Sequence, residues 1–156
     1  MRPYGHVKPG RYPGLGDTYF RSRSEAQVAA ALKIMGWAYI YEPKEFLFPV
    51  KRGTISYRPD FRVCDPQRGW RWLEVKGYWT LKAKTQLKRF AHYYPEEAQN
   101  MIIVTDWEGV QEWIAARMKK VAPTVEVWKL EETAKLAEIL WRGIACQGGA
   151  NGAQVV

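Results

Sequence analysis

Two segments of alternating residues, 55–63 and 70–76, flank the pentapeptide Asp65-Pro66-Gln67-Arg68-Gly69. Proline presets its own φ and glycine tolerates positive φ, so this pentapeptide reverses the chain within a few residues. The flanking segments then lie side by side as an antiparallel hairpin. Everything else in the chain has to be arranged around that pair.

Upstream, Trp37–Tyr41 and Glu45–Val50 read as two more strands, and Pro49 marks the second as an edge. A first helix is predicted from about Ser24, with Ser24 as N-cap and Gln27 at N3 in a capping-box pattern. Val28, Ala29, Leu32 and Met35 form its apolar stripe, and Gly36 is its stop. Downstream, helical spacing covers Leu81–Tyr93, and Met101–Thr105 is a continuously apolar strand of the buried kind. Glu108–Met118 reads as helix, Val125–Leu130 as strand, and Glu131–Arg142 as a last helix ending at Gly143. The order predicts an α/β chain, a mixed β-sheet flanked by helices on both faces. Residues 1–20, in which Gly and Pro alternate, read as a flexible basic N-terminal arm, and 147–156 as a disordered tail. Residues 21–146 form one domain between them.

Composition narrows the partners. Lys and Arg total 24 against 16 Asp and Glu, a net charge of +8 on 156 residues, which favours a polyanion. No run approaches 18 apolar residues and no signal peptide is evident, so no membrane partner and a cytoplasmic location are expected. With 2 Cys, 2 His and no CxxC spacing, a zinc site or a disulfide framework is not expected. Any metal must be held by oxygen, which points to Mg2+, with Mn2+ as a substitute.

The hairpin carries the candidate chemistry. One arm holds Tyr57-Arg58-Pro59-Asp60-Phe61-Arg62-Val63 and the other Trp72-Leu73-Glu74-Val75-Lys76-Gly77. Alternation puts Glu74 and Lys76 on one face, together with Trp70 and Trp72, and Leu73 and Val75 on the other. Asp60, on the neighbouring arm, comes close to Glu74. Two carboxylates at one spot repel, and a divalent cation relieves that repulsion. Magnesium held by few carboxylates leaves room for a phosphate oxygen, and Lys76 stabilises charge that develops there. Glu25 is a second anomaly, because it centres on the apolar stripe of the first helix. The helix dipole offsets that burial by only about 0.3–1 kcal/mol, so Glu25 is read as a third metal ligand, direct or through water.

These residues resemble the PD-(D/E)XK nuclease superfamily: Glu25 on the first helix, Pro59-Asp60, then Glu74-Val75-Lys76. The resemblance spans about residues 21–105. It implies a restriction-endonuclease-like fold, catalytic Glu25, Asp60, Glu74 and Lys76, and a metal on Asp60, Glu74 and the Val75 backbone carbonyl. Gln86, on the next helix, resembles a supporting fourth motif. No nucleotide cofactor is implied.

Around this cluster Arg21, Arg23, Lys82, Lys84 and Lys88 are candidates for phosphate contacts, which set affinity and register without reading bases. Among small members of the superfamily the chain is most similar to archaeal-type and phage Holliday junction resolvases. That implies metal-dependent cleavage of branched or four-way DNA by a homodimer, with Trp107, Trp113, Met118 and Trp128 as candidate interface residues. The longer segment Tyr41–Tyr57 resembles phage and transposon-type endonucleases instead. An endonuclease without junction preference and a non-catalytic nucleic-acid-binding module are therefore the alternatives.

Overall fold

Proline 59 divides the first arm of the expected hairpin. A computed structural model describes residues 8–118 and 124–152, and in it the run 55–63 forms two strands, β3 (Ser56–Tyr57) and β4 (Phe61–Asp65). The remaining elements are α1 (Arg23–Met35), β1 (Tyr39–Tyr41), β2 (Phe46–Leu47), β5 (Gly69–Lys76), α2 (Leu81–Tyr93), α3 (Pro95–Ala98), β6 (Ile102–Thr105), α4 (Val110–Arg117), β7 (Glu126–Trp128) and α5 (Leu130–Gly152). The protein is a mixed α/β chain with a five-stranded sheet, β1-β4-β5-β6-β7, and a separate β2–β3 pair. Strands β1, β4 and β5 run antiparallel, and β5, β6 and β7 run parallel. The β4–β5 register pairs Phe61 with Leu73 and Asp65 with Gly69, which is the hairpin the turn signal demands. Gly69 takes φ +78°, a conformation L side chains rarely adopt. Helix α2 makes the long crossover that parallel pairing of β5 with β6 requires.

The chain groups into two compact units, Met1–Trp37 with Leu130–Val156, and Ala38–Lys129.

In the larger unit, one sheet face carries Trp72 and Ile103 into a core with Leu87 and Phe90 of α2, Phe46 and Tyr57 of the β2–β3 pair, and Ile114 of α4. Phe46 meets Trp72, Phe90 and Tyr94 edge-on at 4.9–5.2 Å between ring centroids, a favoured aromatic geometry. Met118 is buried in this core, and Trp107 and Trp113, both partly buried, pack against it. Trp70, expected in the same buried environment as Trp72, is 49% exposed because it lies at the turn end of β5.

In the smaller unit, α1 packs on α5. Its cap lies two residues before the expected one. Ser22 is the N-cap and accepts the Glu25 N–H at 3.2 Å, which makes Glu25 the N3 residue. Gly36 ends the helix at φ +76°, as expected, but Met35 is exposed, while Ala26, Ala30 and Ala31 join Val28, Ala29 and Leu32 in the core. Residues 10–20 are not a free arm. Gly10 and Phe20 bridge, Phe20 is buried, Tyr12 stacks on Trp141 at 5.7 Å, and Lys33 Nζ donates to the Gly14 carbonyl at 2.5 Å. Gly14 takes φ +75°, a conformation L side chains rarely adopt, and a Cβ there would sit 2.6 Å from Ile144 Cδ1, which would have to shift. Helix α5 runs past Gly143 to Gly152, into the stretch expected to be a disordered tail. An interior glycine costs about 1 kcal/mol, which does not end a helix that has tertiary contacts at Leu140 and Ile144. Residues 1–7 of the expected arm and 153–156 of the expected tail lie outside the described residues.

Candidate active site

The β4–β5 ladder ends at Phe61 and Leu73. Continued one step it would set Asp60 opposite Glu74, and one further Pro59 opposite Val75. Proline has no N–H for such a ladder, and at this point the Val75 N–H donates to a side chain, Asp60 Oδ2, at 2.7 Å. The Asp60 carbonyl accepts the amide of Glu42 at 2.7 Å, where the chain leaves β1 at a positive φ of 46°. Asp60 is thus held through both backbone and side chain at the end of the hairpin where β5 still runs on to Lys76.

Glu74 faces the aromatic core and is 1% exposed. A buried carboxylate is costly unless it is paired and hydrogen-bonded. Both requirements are met. Lys76 Nζ lies 2.5 Å from Oε1, and the Tyr57 hydroxyl donates to Oε2 at 2.6 Å. The Glu74–Lys76 alternation read from the strand is therefore realised, with Lys76 partly open to solvent at 22% of its side chain. Burial, followed by the charge of Glu74, its hydrogen bond and the charge of Asp60, raises the Tyr57 phenol well above its ordinary value of 10.0. Tyr57 therefore stays protonated and a donor.

Asp60, Glu74 and Lys76 converge with Tyr57 at one end of the hairpin. The other expected members fare differently. Among the described residues no group of three His, Cys, Asp or Glu side chains is placed to hold a metal ion. Glu25 belongs to the smaller unit, where its Oε2 accepts the Arg21 N–H at 3.2 Å while its own N–H reaches Ser22. Glu25 thus stands at N3, in the first helical turn of α1. At Val75 the backbone amide donates to Asp60. Gln86 ties α2 to the Ser56 carbonyl at 3.2 Å, so its visible work is to hold the β3 strand that carries Tyr57. Lys82 and Lys88 are exposed on α2, while Lys84 lies over the Trp107 ring at 5.0 Å. Arg21 and Arg23 are exposed in the smaller unit.

Two features escaped the sequence reading. Tyr57 is one; it stands three residues before Asp60, and a tyrosine in a strand beside buried carboxylates is a candidate donor. The other is Arg71, 2% exposed, which bonds Asp65 Oδ2 at 3.1 Å, Glu126 Oε2 at 2.9 Å and the Asn100 carbonyl at 2.6 Å. Its signal was a cation in the same alternation register as the apolar Leu73 and Val75. Burial pushes the Asp65 carboxyl up, but hydrogen bonds from the Gln67 amide, Arg71 and the Arg68 amide, with the charge of Arg71, leave it below the usual range. Glu126 is lowered in the same way, with burial opposing bonds from Trp128 and Arg71. This cluster joins β4, β5 and β7.

The donor set at Asp60 and Glu74 consists of hard oxygen atoms with a cation beside them. It fits an ion that takes one or two carboxylates and completes its shell with water and phosphate oxygen. No helix among the described residues is long and apolar enough to cross a membrane. The chain matches no family model, no curated protein and no solved structure.

Proposed function

We propose that this chain is a metal-dependent endonuclease that hydrolyses the DNA backbone, as its resemblance to PD-(D/E)XK nucleases implies. The observation that carries the reading is the meeting of Asp60, Glu74 and Lys76 at one end of the β4–β5 hairpin, in a chain of net charge +8. Asp60 and Glu74 are the residues that would hold Mg2+ or Mn2+. What such an ion supplies is positive charge for a phosphate oxygen and an acidified water. Tyr57 orients Glu74 and stays protonated while doing so. The Val75 amide fixes the Asp60 side chain at the end of the hairpin. Lys76, the partly open member, presents an ammonium to charge that develops on the scissile phosphate. The lysines of α2 neutralise flanking phosphates. Branched or four-way DNA, cut by a homodimer, is the substrate form the resemblance favours.

One observation favours a second reading. Lys76 and Tyr57 already satisfy Glu74, so the cluster is also electrically complete as a structural pair in a basic binding module. Incubation of four-way and linear duplex DNA with magnesium, with EDTA, and with Glu74→Gln separates the two. Magnesium-dependent nicking that Glu74→Gln removes supports the nuclease. Tight DNA binding by wild type without any cleavage leaves the binding module, and cleavage indifferent to EDTA sinks the metal assignment.

A further inference from the structure

Immediately after Lys76 the chain does something uncommon for a segment beside a packed core. Tyr78 is 81% exposed and Leu81 is 83% exposed, the two most exposed large apolar residues among those described. Their neighbour explains the outward turn. Trp79 points inward, its Nε1 donating to Thr105 Oγ1 at 3.0 Å and its ring lying 5.3 Å from Trp107 and 5.5 Å from Trp113. Thr105 is the register partner of Lys76 on the adjacent strand. Trp79 is thereby pinned at the strand end that carries Lys76, and Tyr78, between the two, is held out at that same end. Thr80 then caps α2 through the Ala83 N–H at 3.0 Å, which sets Leu81 as the first helical residue. The first turn of α2 has no acidic residue and carries Lys82.

A ring and a branched aliphatic chain presented to water, flanked by lysines and beside a candidate phosphodiester site, match one kind of ligand surface. Apolar protein partners match the ring but not the lysines; a continuous duplex matches the lysines but hides its base faces. A nucleobase out of its stack offers both an apolar π-face and an adjoining phosphate. We propose that Tyr78 and Leu81 form a stacking site for an unpaired nucleobase next to the Asp60–Glu74–Lys76 cluster, with Lys82 on the adjoining phosphate. The inference rests on the nucleic-acid reading above. It adds a specificity element to it: DNA with unstacked nucleotides beside the cut is bound in preference to continuous duplex. Trp79 is a positioning residue, because it turns Tyr78 outward without touching the base.

The test compares a duplex bearing a short single-stranded gap with the same duplex made continuous, using the full chain in EDTA so that binding is read without cleavage. A 5-iodouracil in the gap reports the stacked side chain by photocrosslinking and peptide mapping. Wild type is expected to prefer the gapped duplex and to crosslink at Tyr78. Stacking on one aromatic side chain changes affinity by roughly 5- to 150-fold, so Tyr78→Ala should lower the gapped-to-continuous preference about tenfold. Tyr78→Phe, which keeps the ring, should retain it, and Leu81→Ala should lower it in part. Both positions are exposed, so folding is not at stake. An unchanged preference in Tyr78→Ala, or a crosslink confined to another aromatic residue, overturns the stacking site while a magnesium-dependent cleavage activity would stand. Failure of wild type to bind either DNA overturns both.

Discussion

The hydroxyl of Tyr57 donates to Glu74 Oε2 at 2.6 Å, across from a strand outside the main sheet to one at its centre. On the other oxygen of the same carboxylate sits the Lys76 ammonium. The buried charge is thus shared between a neutral donor that cannot ionise in the physiological range and a cation that solvent reaches. This division of labour bears on stability, metal binding and catalysis in different ways.

Removal of the donor should be visible in stability. Tyr57→Phe leaves one oxygen of a buried carboxylate without its partner, at an expected cost of about 2 kcal/mol. The pH dependence has a definite sign. A phenol whose folded value is raised contributes stability that is complete below its unfolded value near 10 and lost as pH rises above it. Denaturant midpoints measured from pH 8 to 11.5 should fall for wild type at the alkaline end, and fall less for Tyr57→Phe.

Lys76→Ala removes the cation from Glu74 and should destabilise the fold by about 2 kcal/mol. Magnesium should then compensate. Thermal denaturation with and without 10-fold excess steps of Mg2+ (an order-of-magnitude titration) is expected to show a larger rise in Tm for Lys76→Ala than for wild type, and none for Asp60→Asn. Equal Tm responses in all three proteins would place any bound metal elsewhere.

Asp60→Asn and Glu74→Gln should each abolish magnesium-dependent cleavage while DNA affinity stays equal or tightens, because each removes negative charge near phosphate. Filter binding and nicking assays on the same DNA check this. Loss of binding in step with cleavage would contradict the roles given to both carboxylates.

The Arg71 cluster predicts acid sensitivity. Asp65 and Glu126 have lowered folded values, so their stabilisation is present above the usual carboxylate range near pH 4 and is lost as pH falls below it. Arg71→Met breaks a buried pair and should cost about 3–5 kcal/mol at pH 7, and its stability should decline less steeply than that of wild type between pH 4.5 and 2.5.

For the first helix, Ser22→Ala should cost about 1 kcal/mol, whereas Ser24→Ala should cost a few tenths. Thermal midpoints of the two variants decide between the cap observed at Ser22 and the one read at Ser24.

The hairpin, the Leu81–Tyr93 helix and the buried 102–105 strand were all legible in the chain, because alternation, helical spacing and a Pro/Gly turn act over a few residues. So was the pairing of Glu74 with Lys76, since alternation along one strand puts them on one face. Pro59 belongs to the same motif, and its missing N–H ends the β4–β5 ladder at Phe61 and Leu73. Two serines precede Glu25 closely enough to cap the first helix, and the choice of Ser22 over Ser24 places Glu25 at N3. Gly143 reads as a stop in the sequence, yet the helix continues through it to Gly152, since an interior glycine costs only about 1 kcal/mol.

Local pattern therefore specified the elements and the two faces of each strand, because those follow from φ/ψ preference and a fixed period of side chains. It could not specify Tyr57 on Glu74, Arg71 between Asp65 and Glu126, or Trp79 on Thr105. Each joins residues separated by 6 to 55 positions, and each partner was chosen by burial. A charge or dipole removed from water must find its complement among whatever groups the packed fold brings within about 3 Å, and that set exists once the sheet, the β2–β3 pair and the crossover helix have assembled.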